Sequence, residues 1–140
     1  FYVNNMTTIN NVQFIKIPKI KDRRGNLSVL EGDTIPFDFK RVYYLYDVPS
    51  GSKRGGHCHI KQEEFLIALS GSFDVILKDG KSKKVITLNQ PDNGLLIVNG
   101  IWRELENFSS GAVCLVLSSA IFDEKDYIRS YKDFKLFKNR

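Results

Sequence analysis

Short β-forming stretches follow one another from Val12 to Ser118, each closed by glycine, proline, aspartate, asparagine or serine. That rhythm constrains the fold more than any other feature, because strands this short gain stability only by packing into sheets. Residues 12–17, 27–30, 39–46, 64–69, 73–78, 84–88, 95–98, 102–108 and 112–118 read as strands, with Asp79-Gly80 the clearest hairpin turn. Residues 21–26 read as a polar turn and 47–56 as a loop rich in glycine and serine. Strands and helices do not alternate regularly, which argues against an α/β fold. The tail from 123 to 138 carries Tyr127, Ile128, Tyr131, Phe134 and Phe137 at a spacing that suits short amphipathic C-terminal helices. The expected class is therefore all-β, a sandwich or barrel: an N-terminal extension at 1–11 and one domain at 12–140.

With 140 residues the chain can bury a core without staples. Its two cysteines, Cys58 and Cys114, form no disulfide framework and no CxxC pair. A reducing, cytoplasmic setting is the expectation. The net charge of +5 comes from scattered lysines and arginines, and no helix-turn-helix, zinc or RNP-like pattern accompanies it, so no nucleic-acid partner is expected. No apolar run reaches bilayer-spanning length, so no membrane partner is expected. Residues 1–6 lack a basic segment followed by an apolar one, and Met6 fits either an internal start or a position within a longer product.

Only two histidines occur, in His57-Cys58-His59. On a strand both imidazoles face one side and Cys58 the other. The spacing Gly51, five residues, His57, one residue, His59, four residues, Glu64, six residues, Gly71 resembles the first signature motif of the cupin superfamily. That resemblance implies a jelly roll (a double-stranded β-helix) with a site in the barrel mouth. In metal-binding cupins the two histidines and the glutamate are ligands, and a second motif supplies a third histidine. The corresponding stretch here is Gly100, two residues, Arg103, three residues, Asn107. Arg103 offers no lone pair and its charge opposes a divalent ion, so no metal and no other cofactor is expected.

The resemblance tightens at Arg54-Gly55-Gly56-His57-Cys58-His59, Ile35-Pro36-Phe37, Lys40-Arg41-Val42-Tyr43-Tyr44, Leu69-Ser70-Gly71-Ser72, Trp102-Arg103-Glu104-Leu105 and Asp123-Glu124-Lys125-Asp126-Tyr127-Ile128-Arg129. These stretches resemble the WxcM-like, FdtA-type sugar 3,4-ketoisomerases. The resemblance implies an isomerase that moves the keto group of dTDP-4-keto-6-deoxyglucose from C4 to C3 through an enediol. Such enzymes feed an aminotransferase in deoxysugar biosynthesis for surface glycans or antibiotics, and are typically homodimers with an exchanged N-terminal strand.

On that resemblance His57 removes the C3 proton, while His59 shuttles protons between the C3 and C4 oxygens or polarises them. A histidine suits such work because its pKa lies near working pH. Tyr43 donates to a sugar oxygen or orients a histidine. Arg54 and Arg103 stabilise negative oxygen, with loop support the alternative for Arg54; Glu64 holds an imidazole tautomer; and Trp102 either stacks on base or sugar or is buried. Cys58 is read as a small core residue. Subgroups that make galacto or gluco products at C4 differ beside Gly25 and after Trp102. Arg24 carries the galacto feature and Arg103 the gluco feature, with a lean to the gluco product. The rival readings are a 3,5-epimerase-like enzyme on nucleotide sugars, a metal-dependent cupin enzyme, a non-catalytic sugar-binding cupin, and an isomerase domain of a larger polypeptide.

Overall fold

The computed structural model describes residues 5–139. Its strands are β1 (Gln13–Lys16), β2 (Lys19–Asp22), β3 (Gly25–Ser28), β4 (Arg41–Leu45), β5 (Arg54–His59), β6 (Glu64–Ser70), β7 (Phe73–Lys78), β8 (Lys83–Leu88), β9 (Asn93–Ile97), β10 (Trp102–Glu106), β11 (Val113–Ser118) and β12 (Tyr127–Ile128), followed by helix α1 (Tyr131–Lys138). One antiparallel sheet has the order β1-β9-β6-β11-β4 and the other β12-β5-β10-β7-β8, while β2 and β3 form a separate hairpin. From β4 onward the chain passes repeatedly from one sheet to the other, which gives the jelly roll that the motif implied.

The main core lies between the sheets. Leu66 and Ala68 of β6, Val75 and Leu77 of β7, Leu95 and Ile97 of β9 and Val116 of β11 are all buried there. A second cluster, with Phe65, Ile67, Leu96 and Leu117, lies on the outer face of the first sheet beneath Ile17 and Ile35. Strand β6 is thus covered on both faces, and this is why Phe65-Leu66-Ile67-Ala68 is continuously apolar rather than alternating. Gly71 closes β6 with φ +65°, and a Cβ there would lie 2.4 Å from Ser109 Oγ and 2.9 Å from Ala112 Cα. Its place in the motif therefore answers both to backbone conformation and to close packing.

Several local expectations change. The Arg54-Gly55-Gly56 segment belongs to β5 rather than to a loop, because Arg54 pairs with Leu105 across a register shift in β10 and Gly55 takes a positive φ of 73°. The polar turn shrinks to Arg23-Arg24, since Asp22 pairs with Gly25 and Lys19 with Ser28 across the β2–β3 hairpin. The expected C-terminal helices become a 3₁₀ turn at Glu124–Asp126, the short strand β12 and a single helix. Pairing of Tyr127 with His59 and of Ile128 with Cys58 draws this segment onto the edge of β5. Helix α1 starts only at Ser130, whose hydroxyl accepts from the Asp133 N–H.

Residues 1–4 of the expected extension lie outside the described residues. The remainder is tied down: the Thr7 hydroxyl donates to the Asn99 carbonyl at 2.8 Å, and buried Lys138 donates to the Thr7 carbonyl at 2.7 Å. Among the described residues no helix is long and apolar enough to cross a membrane.

Candidate active site

Strand register assembles the polar residues at one end of the barrel. His57 on β5 lies opposite Arg103 on β10, and Glu64 at the start of β6 lies opposite Ser118 at the end of β11. Tyr43 on β4 lies opposite Val116, one residue further along β11 from Leu115. Alternation along β5 separates the histidines from Cys58, which is buried with Trp102 and Phe134 on the other face.

Glu64 is the hub. Arg103 Nη1 donates to its Oε1 at 2.8 Å, while the hydroxyls of Tyr43 and Ser118 each donate to its Oε2 at 2.8 Å. His59 Nε2 lies 3.5 Å from Oε1. Burial alone would raise the Glu64 pKa, but its contacts with His59, Arg103 and the Ser118 hydroxyl together hold it well below the usual carboxylate range. Burial, reinforced by the charge and hydrogen bond of Glu64, raises the Tyr43 phenol above its ordinary value, so Tyr43 remains a donor. Arg103 is itself 2% exposed and also donates to the Ile101 carbonyl.

His57 Nε2 lies 3.2 Å from His59 Nε2, and His59 Nδ1 lies 3.1 Å from Asp126 Oδ2. Burial, followed by the nearby charges of Arg103 and His59, pushes His57 down to about 2, so its resting form is the neutral imidazole. The Tyr127 ring packs against both imidazoles, with centroids at 4.9 Å from His57 and 4.4 Å from His59.

The cavity beside this cluster holds about 300 Å³ and is lined by Arg41, Tyr43, Arg54, His57, Glu64, Arg103, Phe122, Tyr127 and Arg129, with apolar residues such as Leu66 and Leu105 on its floor. Four arginines against one glutamate make it strongly anion-attracting. Arg41 lies over the Tyr43 ring at 4.5 Å and Arg129 over the Tyr127 ring at 4.2 Å.

Five of the expected site residues, Tyr43, Arg54, His57, Glu64 and Arg103, thus share one cavity wall. The other three do not. His59 is 0% exposed and sits behind His57, so direct shuttling between sugar oxygens is not the role its position supports. Trp102 faces α1, packs on Tyr131 and Phe134 and donates its indole N–H to Glu104 at 2.7 Å, because strand alternation turns it away from Arg103. Arg24 sits at the hairpin tip, 84% exposed and paired with Asp22 at 2.8 Å.

Residues without an assigned role in the sequence reading also join the site: Arg41, Ser118, Phe122, Asp126, Tyr127 and Arg129. Asp126 and its neighbours fall within a stretch that carried the family resemblance, but nothing local signals a carboxylate that reaches back to His59.

His57, His59 and Glu64 bring one ligand-type atom each to within 4.8 Å of one another, the spacing of a metal site. The donor set does not fit a divalent ion. Both Glu64 oxygens already accept from Arg103, Tyr43 and Ser118, and the buried guanidinium supplies the positive charge that a metal would bring.

Residues 10–139 match the family described as FdtA: WxcM-like, C-terminal. The TDP-4-oxo-6-deoxy-alpha-D-glucose-3,4-oxoisomerase of Aneurinibacillus thermoaerophilus is 45% identical over 124 residues, 88% of this chain and 89% of that protein. The crystal structure of QdtA, a sugar 3,4-ketoisomerase from Thermoanaerobacterium thermosaccharolyticum in complex with TDP, superposes with a TM-score of 0.91 at 43% identity, covering 94% of this chain and 96% of that one. The WlaRB TDP-quinovose 3,4-ketoisomerase of Campylobacter jejuni gives 0.87 at 46% identity, covering 91% and 99%.

Proposed function

The chain belongs to the FdtA, WxcM-like C-terminal family, and on that premise we propose that it is a sugar 3,4-ketoisomerase acting on dTDP-4-keto-6-deoxyglucose. The observation that carries the reading is a buried His57 on the wall of an arginine-lined cavity, where burial and the Arg103 charge favour the uncharged imidazole. Such a cavity suits a diphosphate-linked sugar, and an uncharged imidazole is the form that accepts a proton from carbon.

The C3 proton is acidic because the C4 carbonyl delocalises the electron pair left behind. His57 takes that proton as the C3–H pair moves into a C3–C4 double bond, giving the enediolate. The C3 hydroxyl proton passes to the C4 oxygen, C4 gains a proton, and the carbonyl re-forms at C3. Arg103 lines the cavity where negative oxygen develops, while the Tyr43 hydroxyl gives its one proton to Glu64. Arg54, with Arg41 and Arg129, is assigned to the diphosphate. Arg103 cannot relay a proton as a histidine would, and its bond to Glu64 fixes it in place. These features, with the 46% identity to the TDP-quinovose enzyme, favour the gluco product.

The finer assignment of a homodimer has its own support. Among the described residues the β2–β3 hairpin pairs with no other strand, and Ile20 and Leu27 are more than half exposed. The outer edge of β4 exposes Val42 and Tyr44. A second copy covering these surfaces is the simplest partner. Strand β1 pairs with β9 of its own chain, so the hairpin is the N-terminal element available for exchange, and it would carry Arg24 with it. Buried free thiols at Cys58 and Cys114 suit a cytoplasmic setting.

The test is incubation with dTDP-4-keto-6-deoxyglucose under chelator, followed by nuclear magnetic resonance. A 3-keto product with an equatorial C4 hydroxyl is expected. Exchange at C3 and C5 without keto migration would move the protein to the epimerase class.

A further inference from the structure

Three buried groups run back from the cavity in a line: His57, then His59, then Asp126. The two imidazoles meet Nε2 to Nε2 at 3.2 Å, so one of these nitrogens donates and the other accepts. Which one donates is decided at the far end. Asp126 Oδ2 lies 3.1 Å from His59 Nδ1 and also accepts from the Gln62 N–H at 3.1 Å, while Oδ1 accepts from the Lys61 N–H at 2.7 Å. Burial works against the ionised carboxylate, but these hydrogen bonds hold its pKa below the ordinary range. An ionised carboxylate only accepts, so the proton at that contact is on His59 Nδ1. In the neutral pair His59 Nε2 is then a lone pair, His57 Nε2–H donates to it, and His57 Nδ1 is left unprotonated. That last nitrogen makes no hydrogen bond among the described residues and is not among the buried polar atoms that lack a partner, so it opens to the cavity.

We propose that Asp126 is a positioning residue that fixes the tautomers of both histidines, presents His57 Nδ1 to the C3 proton, and makes His59 the holder of the positive charge during turnover. The step balances with water as the only further reactant. The C3–H bond breaks and its electrons form the C3–C4 double bond. The proton goes to His57 Nδ1, and the proton on His57 Nε2 crosses to His59 Nε2. His59 becomes an imidazolium flanked by Asp126 and by Glu64 at 3.5 Å. Charge thus rests between two carboxylates instead of on His57, whose charged form burial, Arg103 and His59 all oppose. His59 then hands its proton back to His57 Nε2 as Nδ1 gives up the C3 proton, while C4, whose hydrogen in an equatorial-alcohol product lies on the ring face opposite H3, takes its proton from water. Tyr127 shields the pair from water on the remaining side, which suits retention of the proton.

This inference rests on the ketoisomerase reading, but its first test does not. The chain has only two histidines, so long-range ¹H–¹⁵N spectra of ¹⁵N-histidine-labelled protein near pH 7.5 report both tautomers without substrate. The expected result is Nδ1–H on His59 and Nε2–H on His57. A proton on His59 Nε2 at rest would overturn the proposal whatever the enzyme's substrate. The second test is Asp126→Asn, whose amide cannot accept at all three contacts. It should lower kcat about 100-fold with KM within about threefold, in line with groups that orient a catalytic imidazole, and should switch the His59 tautomer. A folded Asp126→Asn protein with unchanged kcat would contradict the proposal. If the variant does not fold, the tautomers of the unmodified protein decide. Wild-type protein that shows the expected tautomers yet never moves the keto group would sink the substrate reading instead.

Discussion

The Glu64 cluster and the β2–β3 hairpin are built on opposite principles. Around Glu64 the charged and polar side chains are buried, and each is held by partners from other strands. In the hairpin every residue of both strands is exposed, and the Arg24–Asp22 ion pair at its tip is open to solvent. The first region is completed by its own chain. The second has regular geometry without burial. Buried polar groups are costly unless paired, so the cluster stands or falls as a unit, whereas the hairpin should yield little stability until a second copy covers it.

The largest effect is expected from Glu64→Ala, which leaves the Arg103 charge buried without a partner. A loss of about 3–5 kcal/mol is expected, read as a lower midpoint in denaturant. A loss under about 1 kcal/mol would mean that water reaches the guanidinium and that the cluster is no more constrained than the hairpin.

Acid should separate the two regions next. Glu64 and Asp126 have folded pKa values below their unfolded ones, so their stabilisation is present above the unfolded value and fades as pH falls through the folded one. His57 is pushed down to about 2, so the unfolded chain takes up a proton below about 6.5 while the folded one does not. Stability should therefore begin to fall below about pH 6.5, at up to about 1.4 kcal/mol per pH unit from this group, and more steeply below about pH 4.5. His57→Asn should abolish the first part of that decline.

The smallest effect on the single chain is expected from the paired change Ile20→Ser and Leu27→Ser. It should alter monomer stability by no more than about 0.5 kcal/mol per site, yet shift the protein from dimer to monomer in light scattering. An unchanged dimer would place the interface elsewhere, and a strongly destabilised monomer would mean that the hairpin packs on its own chain.

The same contrast explains what the sequence reveals. Fixed spacing on three strands made His57, Glu64 and Arg103 legible, because a strand's alternation and a short loop convert sequence separation into a shared face. The continuous apolar run of β6 and the Asp79-Gly80 turn were legible for similar local reasons. Asp126 was not, since its role depends on a contact 67 residues away in the chain. Trp102 reads from sequence either as a stacking surface or as a buried ring, and only the direction of β10 shows that it belongs under α1. The short strand β12 was hidden because Tyr127 and Ile128 also fit a helical spacing until the edge of β5 is available to pair with them. Arg24 points to a different limit: it sits at the hairpin tip and is not among the residues that line the cavity.

The central claim is that a neutral His57, held in the buried cluster, moves the proton. Its most direct measurement is the deuterium content of the sugar after incubation of dTDP-4-keto-6-deoxyglucose with enzyme and chelator in heavy water, for wild type and His57→Asn. The account predicts keto migration by the wild type and a loss of at least about 1,000-fold in the variant, with nucleotide binding retained. Migration that persists in the variant, or that stops when chelator is added to the wild type, would contradict it.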